Sequence, residues 1–141
     1  MCGHFATIQP VEPIRKLFGA VNSAPADARP SRNIAPSQPA LAVRRHPETG
    51  ERRIDLLVWG LVPHWARDIR EARRPINARA ETVATSPMFK RAFASRRCLV
   101  PVDAWYEWQV TPGGTHPQEW ARPDRMTKLE KWFLYRSRTA I

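Results

Sequence analysis

The chain has 141 residues, the size of one domain, and no apolar run approaches the roughly 20 residues that a membrane-spanning helix needs. Its two cysteines, Cys2 and Cys98, exclude a disulfide framework and a zinc site built from thiolates, and nothing else calls for a metal or an organic cofactor. Lysine and arginine total 23 against 13 acidic residues, a formal net charge of +10, which favours a polyanion such as nucleic acid as the partner unless these cations form only a solvated surface.

The first predicted element is a short amphipathic helix over residues 11–21. Its apolar residues recur at helical spacing, and the face they form consists of Val11, Ile14, Leu17, Phe18 and Val21. The following stretch, 22–39, is rich in Ala, Pro and Ser, a composition that predicts a surface loop.

Two β-rich runs follow at residues 40–45 and 52–62, separated by His46-Pro47-Glu48-Thr49-Gly50. Pro and Gly in the separating segment indicate a turn, so the two runs are predicted to form a hairpin. The second run ends in an aromatic segment, 59–65, whose Gly and Pro break the strand and bring tryptophan rings to the end of the sheet.

The second half of the chain is predicted to contain one helix and two strands. Ser86 and Pro87 suit the N-cap and the first position of a helix whose buried side would be Met88, Phe89, Ala92 and Phe93. The longest apolar segment, 97–110, predicts a single core strand in which Cys98 is an inert buried residue. Residues 111–127 are predicted to be a long loop, and residues 131–136 a last short strand.

The chain begins Met1-Cys2-Gly3, and a cysteine in the second position allows the methionine to be removed. Cys2 would then carry a free α-amino group and a thiol, groups that ordinarily ionise near about pH 8 and about pH 8.5. An amine and a thiol in this arrangement condense with an aldehyde to form a stable thiazolidine ring. The alternative is that Cys2 is only a small residue that packs in the core.

Glu107 lies between Tyr106 and Trp108 in the predicted core strand. A carboxylate among aromatic residues is costly to bury unless it is paired or takes part in chemistry. Glu107 is therefore a candidate acid–base group.

Short motifs along the chain resemble, in identity and order, those of the SRAP family, the SOS-response-associated peptidase proteins that process abasic sites in DNA. Each motif alone is weak, but the set in register is specific. The matching segments are Met1-Cys2-Gly3 with Phe5, Asn33-Ile34-Ala35-Pro36, Trp59-Gly60-Leu61-Val62-Pro63 with Trp65, Asn77-Ala78-Arg79-Ala80-Glu81-Thr82, Arg97-Cys98-Leu99-Val100-Pro101, Trp105-Tyr106-Glu107-Trp108 and, more loosely, Phe133-Leu134-Tyr135-Arg136.

This resemblance implies an α+β fold with a β-barrel-like core of mostly antiparallel strands and a few peripheral helices, over residues 1–141 as a single domain. Family members form a covalent link between the N-terminal cysteine and the ring-opened aldehyde of an abasic site in single-stranded DNA. Cys2 matches that nucleophile. Asn77 matches the asparagine that holds the cysteine or the open sugar by hydrogen bonds, and Glu107 matches the glutamate that moves protons.

The resemblance also implies DNA contacts. Arg79 resembles the family's DNA-contacting arginine, Trp65 lies where aromatic rings stack on bases beside the lesion, and Asn33 is expected to line the same site. Structural alternatives remain, because Trp65 could belong to the core and Asn77 could be a turn residue that satisfies its own backbone. The expected protein is a monomer without a membrane association, in the cytoplasm and at the nucleoid when bound to single-stranded DNA that contains abasic sites.

Two departures from the family pattern affect these expectations. His4 stands where the family usually has arginine, so one cationic contact is weaker or depends on pH. Family members continue beyond the last strand predicted here, into a region with a catalytic histidine and further strands. None of the four histidines, His116 included, lies in a matching context, so the chain is expected to be a truncated member.

Two other functions remain open. An N-terminal-nucleophile hydrolase or autopeptidase would use Cys2 to attack an amide, although only Met1 precedes it. A basic module that binds single-stranded nucleic acid without chemistry fits a truncated chain. Only a covalent product survives unfolding, so denaturants separate the cross-linking function from simple binding.

Overall fold

The computed structural model describes residues 3–22, 24–26, 28–70, 72, 74–121 and 132–134, so the predicted nucleophile Cys2 lies outside the described residues. In chain order the elements are β1 His4–Thr7, α1 Val11–Phe18, β2 Val21–Asn22, β3 Ser31–Ile34, β4 Pro39–Arg45, β5 Arg52–Val58, α2 Lys90–Ser95, β6 Arg97–Leu99, β7 Ala104–Thr111, β8 Gly114–Ala121 and β9 Trp132–Leu134.

The strands form two sheets. Sheet A has the order β3-β1-β7-β8, and sheet B has the order β2-β5-β4-β6-β9. Neighbouring described strands are antiparallel in both sheets, with the exception of the short β2, which runs parallel to β5. Two mostly antiparallel sheets with two short helices confirm the predicted α+β class.

The main core lies between the two sheets. Sheet A contributes Phe5 and Ile34, with Trp105 packed against them, and sheet B contributes Ala42, Leu57 and Cys98. A second cluster lies on the other face of sheet B, where Ile14 of α1 packs on Leu41, Val43 and Ile54. Strand β4 is therefore buried on both faces, which explains why its apolar run does not alternate with polar residues.

Helix α1 is shorter than predicted. It ends at Phe18 because Gly19 adopts the left-handed conformation, with φ of 55°, and its N–H bonds the carbonyls of Arg15 and Lys16. The prediction that Leu17 and Val21 lie on the buried face is wrong, since each is 53% exposed. Val21 belongs instead to strand β2 at the edge of sheet B.

The predicted hairpin of residues 40–45 and 52–62 is confirmed, although its second strand ends at Val58. Strands β4 and β5 pair from Pro39 with Val58 through Arg45 with Arg52. The turn closes through the His46 N–H, which donates to the Glu51 carbonyl at 2.8 Å. The strand ends where Gly60 follows with φ of 127°, a conformation that residues with side chains rarely adopt.

The predicted loop 22–39 is wrong at residues 31–34, which form β3 at the edge of sheet A. Ile34 is buried opposite Phe5, whereas Arg32 and Asn33 are exposed. An edge strand with one buried residue has too little apolar periodicity to be recognised from sequence.

The prediction of one core strand over residues 97–110 is also wrong. The chain leaves sheet B after Leu99 and enters sheet A at Ala104, with Pro101 between the two strands. Proline cannot donate a backbone hydrogen bond, so it does not continue a central strand. A hydrogen bond holds the chain where it passes from sheet B to sheet A, since the Thr7 Oγ1 donates to the Pro101 carbonyl at 2.6 Å.

Part of the predicted loop 111–127 is a strand, because residues 114–121 form β8 and pair with β7 around the turn at Pro112 and Gly113. The predicted last strand is confirmed as β9, Trp132–Leu134, within residues 131–136. Helix α2 begins at Lys90, after a turn in which the Ser86 carbonyl accepts from the N–H groups of Phe89 and Lys90, so Ser86 does not cap it. Of its predicted buried side, Ala92 is fully buried.

We predict that Ile54→Ala destabilises the fold by about 2–5 kcal/mol, because Ile54 is 0% exposed and the cavity would lie between α1 and sheet B. Urea unfolding followed by circular dichroism measures this change. Leu17→Ala is the control, and its effect on the free energy of unfolding is expected to stay below about 1 kcal/mol, since the side chain is already exposed. Equal losses in the two variants would contradict the described position of α1.

Candidate active site

The N-terminal strand brings Gly3 beside Glu107. In the antiparallel pairing of β1 with β7, His4 lies opposite Tyr106 and Phe5 lies opposite Trp105. If this register continues by one residue, Gly3 lies opposite Glu107. Side chains alternate along a strand, so the half-buried Glu107 shares the face of Trp105, which packs against the core between the sheets.

The register of β1 is held by Asp103, directly before β7. Its carboxylate accepts from the N–H groups of Ile8 at 2.6 Å and Gln9 at 3.2 Å, and its own N–H donates to the Ala6 carbonyl at 2.9 Å. A one-residue slip of β1 would break all three bonds and turn Phe5 away from the core. The sequence patterns do not single out Asp103, although the break at Pro101 is a signal for a turn at this place.

Trp59 connects this region to Asn77. Its buried ring packs on Phe5 with the centroids 5.1 Å apart and the planes at 55°. Its indole N–H donates to the Ile76 carbonyl at 2.9 Å, and the Leu61 N–H donates to the Pro75 carbonyl at 3.0 Å. These two bonds hold the segment that leads directly into Asn77, which is half-buried.

The turn at Gly60 lets the segment before Asn77 lie against the end of strand β5. Hydrogen bonds between Trp59 and the backbone of Ser37 and Gln38, at 2.8 and 2.9 Å, fix the residue before the turn. A Cβ atom on Gly60 would lie 3.3 Å from Cβ of Arg74, so the segment before Asn77 packs closely against this glycine. Glycine is needed here both for the positive φ and for the close approach.

The structure joins Asn33 to His4. The Asn33 Oδ1 atom accepts a hydrogen bond from His4 Nδ1 at 2.6 Å, and the neighbouring Arg32 carbonyl accepts from the Tyr106 hydroxyl at 3.0 Å. Ile34 points into the core between the sheets, so Asn33 points to the outer face of sheet A. Asn33 and Glu107 therefore lie on opposite faces of this sheet, and the structure does not bring them into one cavity.

Trp65 and Arg79 lie at the surface. Trp65 is 51% exposed and its ring packs edge-on against His64, with the centroids 4.8 Å apart, so the alternative that Trp65 is a core residue is wrong. Arg79 is exposed, and its carbonyl accepts from the N–H groups of Thr82 and Val83. Both side chains are accessible to a ligand.

Cys98 is buried in the core between the sheets, as predicted for an inert residue. Burial raises the pKa of its thiol to about 12, and the nearby Arg44 charge offsets only part of this shift. The thiolate is the reactive form of cysteine, so Cys98 is not a competing nucleophile at neutral pH.

Within the part of the chain that the structure describes, no three His, Cys, Asp or Glu residues come together as a metal site. The same residues include no helix that is long and apolar enough to span a bilayer.

Sequence comparisons identify relatives. The family model of SRAP, the SOS response associated peptidase, matches residues 1–130. The abasic site processing protein YoaM of Bacillus subtilis (strain 168) is 39% identical over 110 residues, which is 77% of this chain and 48% of that protein. The abasic site processing protein HMCES of Gallus gallus is 33% identical over 99 residues, which is 63% of this chain and 30% of that protein. The chain thus spans about half the length of its bacterial relative.

Solved structures share the fold. A protein from Bordetella bronchiseptica superposes with a TM-score of 0.70 at 27% identity, covering 95% of this chain and 69% of its own. A protein from Bacteroides thetaiotaomicron superposes with a TM-score of 0.72 over 88% of this chain and 56% of its own, and at 19% identity this likeness concerns the fold alone.

We predict that the buried Cys98 thiol reacts with a thiol reagent only after unfolding. The Cys2→Ala variant isolates this reaction, because Cys98 is then the remaining cysteine. With the pKa raised to about 12, roughly one Cys98 thiol in 10,000 is ionised at pH 8 in the folded protein. Colour release from a disulfide reagent, followed with and without urea, measures this difference. Fast reaction of the folded Cys2→Ala protein would contradict the buried position of Cys98.

Proposed function

This chain belongs to the SOS response associated peptidase (SRAP) family, and we propose that it processes abasic sites in DNA. Its relatives in Bacillus subtilis and Gallus gallus carry the name abasic site processing protein. One observation carries the proposal. Gly3 and Glu107 lie on paired strands, and Phe5 of the same strand pair packs on Trp59. Trp59 in turn bonds the carbonyl directly before Asn77. Because the chain spans about half of the relative's length, activity and substrate are proposals for this chain.

The proposed nucleophile is Cys2, after removal of Met1. Gly3, which follows Cys2 in the chain, is the first described residue and lies at the end of the strand pair that carries Glu107. The α-amino group adds to the ring-opened aldehyde of the abasic site, and loss of water gives an imine. The thiol then adds to the imine carbon, its proton passes to the nitrogen, and a thiazolidine ring joins the protein to DNA without any oxidant or reductant.

Glu107 is the proposed acid–base group. Addition of the amine and loss of water each move a proton, and a carboxyl group beside the reacting nitrogen can give and take it. Its half-buried place on β7 keeps it next to the N-terminal strand, and Asp103 fixes the register of that strand. Asn77 would hold the open sugar or the cysteine through its amide, on a segment that Trp59 fixes.

The exposed Trp65 and Arg79 are the proposed DNA contacts. Stacking on an indole ring is independent of base identity, which suits recognition of a lesion in any sequence context. A guanidinium group binds phosphate in the same sequence-independent way. Asn33 lies on the outer face of sheet A with His4, so we propose that this pair contacts the DNA backbone outside the reaction site. The proposed substrate is single-stranded DNA that contains an abasic site.

We predict that the Met-trimmed protein forms a complex with abasic single-stranded DNA that survives a denaturing gel, because the product is covalent. Cys2→Ala should abolish the shifted band. Glu107→Gln, which keeps the shape of the side chain and removes the proton transfer, should slow band formation roughly 100-fold or more.

The matched control for this experiment is Cys98→Ala, which removes the buried thiol and should leave the band intact. A band that persists in Cys2→Ala would overturn the assignment of the nucleophile. A folded protein that binds the DNA but yields no band would leave a module that binds nucleic acid without chemistry.

We also predict that Trp65→Ala weakens binding to undamaged single-stranded DNA by roughly 1–3 kcal/mol, the value of one stacked base. Fluorescence anisotropy with a labelled oligonucleotide measures the dissociation constant. Trp65→Phe keeps an aromatic face and should retain most of the affinity. If alanine and phenylalanine lower affinity equally, Trp65 does not act by stacking.

A further inference from the structure

The segment that leads from the candidate site into α2 carries many cations and few carboxylates. Residues 78–102 contain five basic residues and a single acidic one, Glu81. The basic residues are Arg79, Lys90, Arg91, Arg96 and Arg97. Helix α2 packs against β6, and neither of the strands beside β6, which are β4 and β9, contains an acidic residue. These elements therefore supply no carboxylate that would neutralise the charge at α2.

Two of these cations lie on the exposed face of α2. Lys90 and Arg91 are exposed, as are Ala94 and Ser95, whereas Ala92 is buried. With 3.6 residues per turn, the four exposed residues share the side of the helix that faces away from Ala92. None of the ion pairs between described residues involves Lys90 or Arg91. Both charges are therefore accessible to a ligand.

The other side chains on this face are small. Ala94 and Ser95 extend little beyond the backbone, and the Ser95 Oγ donates back to the Arg91 carbonyl at 3.2 Å. The exposed face of α2 therefore has no aromatic ring on which a base could stack and no large aliphatic side chain for the apolar part of a peptide. Two cations beside small residues suit the phosphates of a nucleic acid backbone.

A run of turns connects this face to the candidate site. The Arg79 carbonyl accepts from the Val83 N–H at 3.0 Å, and the Ser86 carbonyl accepts from the Lys90 N–H at 2.8 Å. Between them, the Thr82 carbonyl accepts from the Ser86 N–H at 2.8 Å. Each bond joins residues four positions apart, as in an α-helix, where the chain advances about 1.5 Å per residue. The backbone from Arg79 to Lys90 therefore covers about 16 Å, which a few nucleotides of one DNA strand can span at roughly 3.4 Å or more each.

We propose that Lys90 and Arg91 form a second phosphate-binding surface, which holds the DNA strand on one side of the lesion after the strand passes Arg79. The inference rests on the proposed function for its ligand, single-stranded DNA, and adds a contact outside the reaction site. Lysine and arginine bind phosphate without reading the bases, so this contact is independent of sequence. Each phosphate that they neutralise releases counterions, so the contact weakens as salt rises.

The test titrates a fluorescent, undamaged oligo-dT of about 20 nucleotides with the full chain, followed by anisotropy at several salt concentrations. For Lys90→Gln combined with Arg91→Gln, we expect roughly tenfold weaker binding at about 50 mM salt. The slope of log affinity against log salt should fall by about 1.4, which is about 0.7 for each lost phosphate contact. Partial unfolding would lower the amount of protein that binds without this change of slope.

The matched control removes one lysine and one arginine elsewhere on the surface, through Lys16→Gln combined with Arg29→Gln. Both side chains are exposed, on α1 and before β3. The affinity of this variant for oligo-dT should stay within about twofold of the unchanged protein. Lys90→Arg combined with Arg91→Lys should bind as the unchanged protein does, because the surface keeps both cations.

Equal losses in the two glutamine variants, or no binding of oligo-dT by the unchanged protein, would overturn the proposal. So would a charge-retaining variant that binds as weakly as the variant with glutamine at residues 90 and 91. The oligonucleotide contains no abasic site, so its binding does not depend on the cross-linking chemistry. Binding that shows the expected change of slope, without a covalent band on abasic DNA, would contradict the proposed chemistry and support the phosphate contact.

Discussion

The packing of Phe5 on Trp59 is the contact on which the candidate site depends. Phe5 belongs to sheet A and Trp59 directly follows a strand of sheet B, so this one aromatic pair joins the two sheets. On one side, Phe5 is in register with Trp105, two residues before Glu107. On the other side, the indole of Trp59 bonds the carbonyl before Asn77. An amide and a carboxyl group from distant parts of the sequence are thereby tied to the same core.

The first described strand, β1, is held firmly in sheet A. The proposed function needs this strand to be held, because terminal segments are poorly ordered unless they pair with a sheet. Three hydrogen bonds at Asp103 and the central place of β1 in sheet A hold it. The geometry needed for the proposed cross-link therefore comes from sheet register.

The sequence predicts some elements of this fold and misses others. The β4–β5 hairpin is recognisable because a turn separates two apolar runs, and Cys98 is recognisable because it lies in such a run. The sequence does not predict the crossing from sheet B to sheet A at Pro101, because the apolar residues continue on both sides of it. Strand β3 is missed because the edge position leaves Arg32 and Asn33 exposed. The motif alone predicts that Asn33 lines the site, whereas the strand alternation and the hydrogen bond to His4 show that it faces outward.

The positions of the arginines are a second example of contacts that the sequence does not predict. A net charge of +10 favours a polyanionic partner but does not say where cations meet. Arg45 and Arg52 are seven positions apart, and only the hairpin register makes them direct neighbours. Arg79, by contrast, lies two residues after Asn77, so the sequence alone places it near the proposed reaction site. Sequence distance therefore identifies neighbours within one motif, whereas neighbours across a sheet follow from its register.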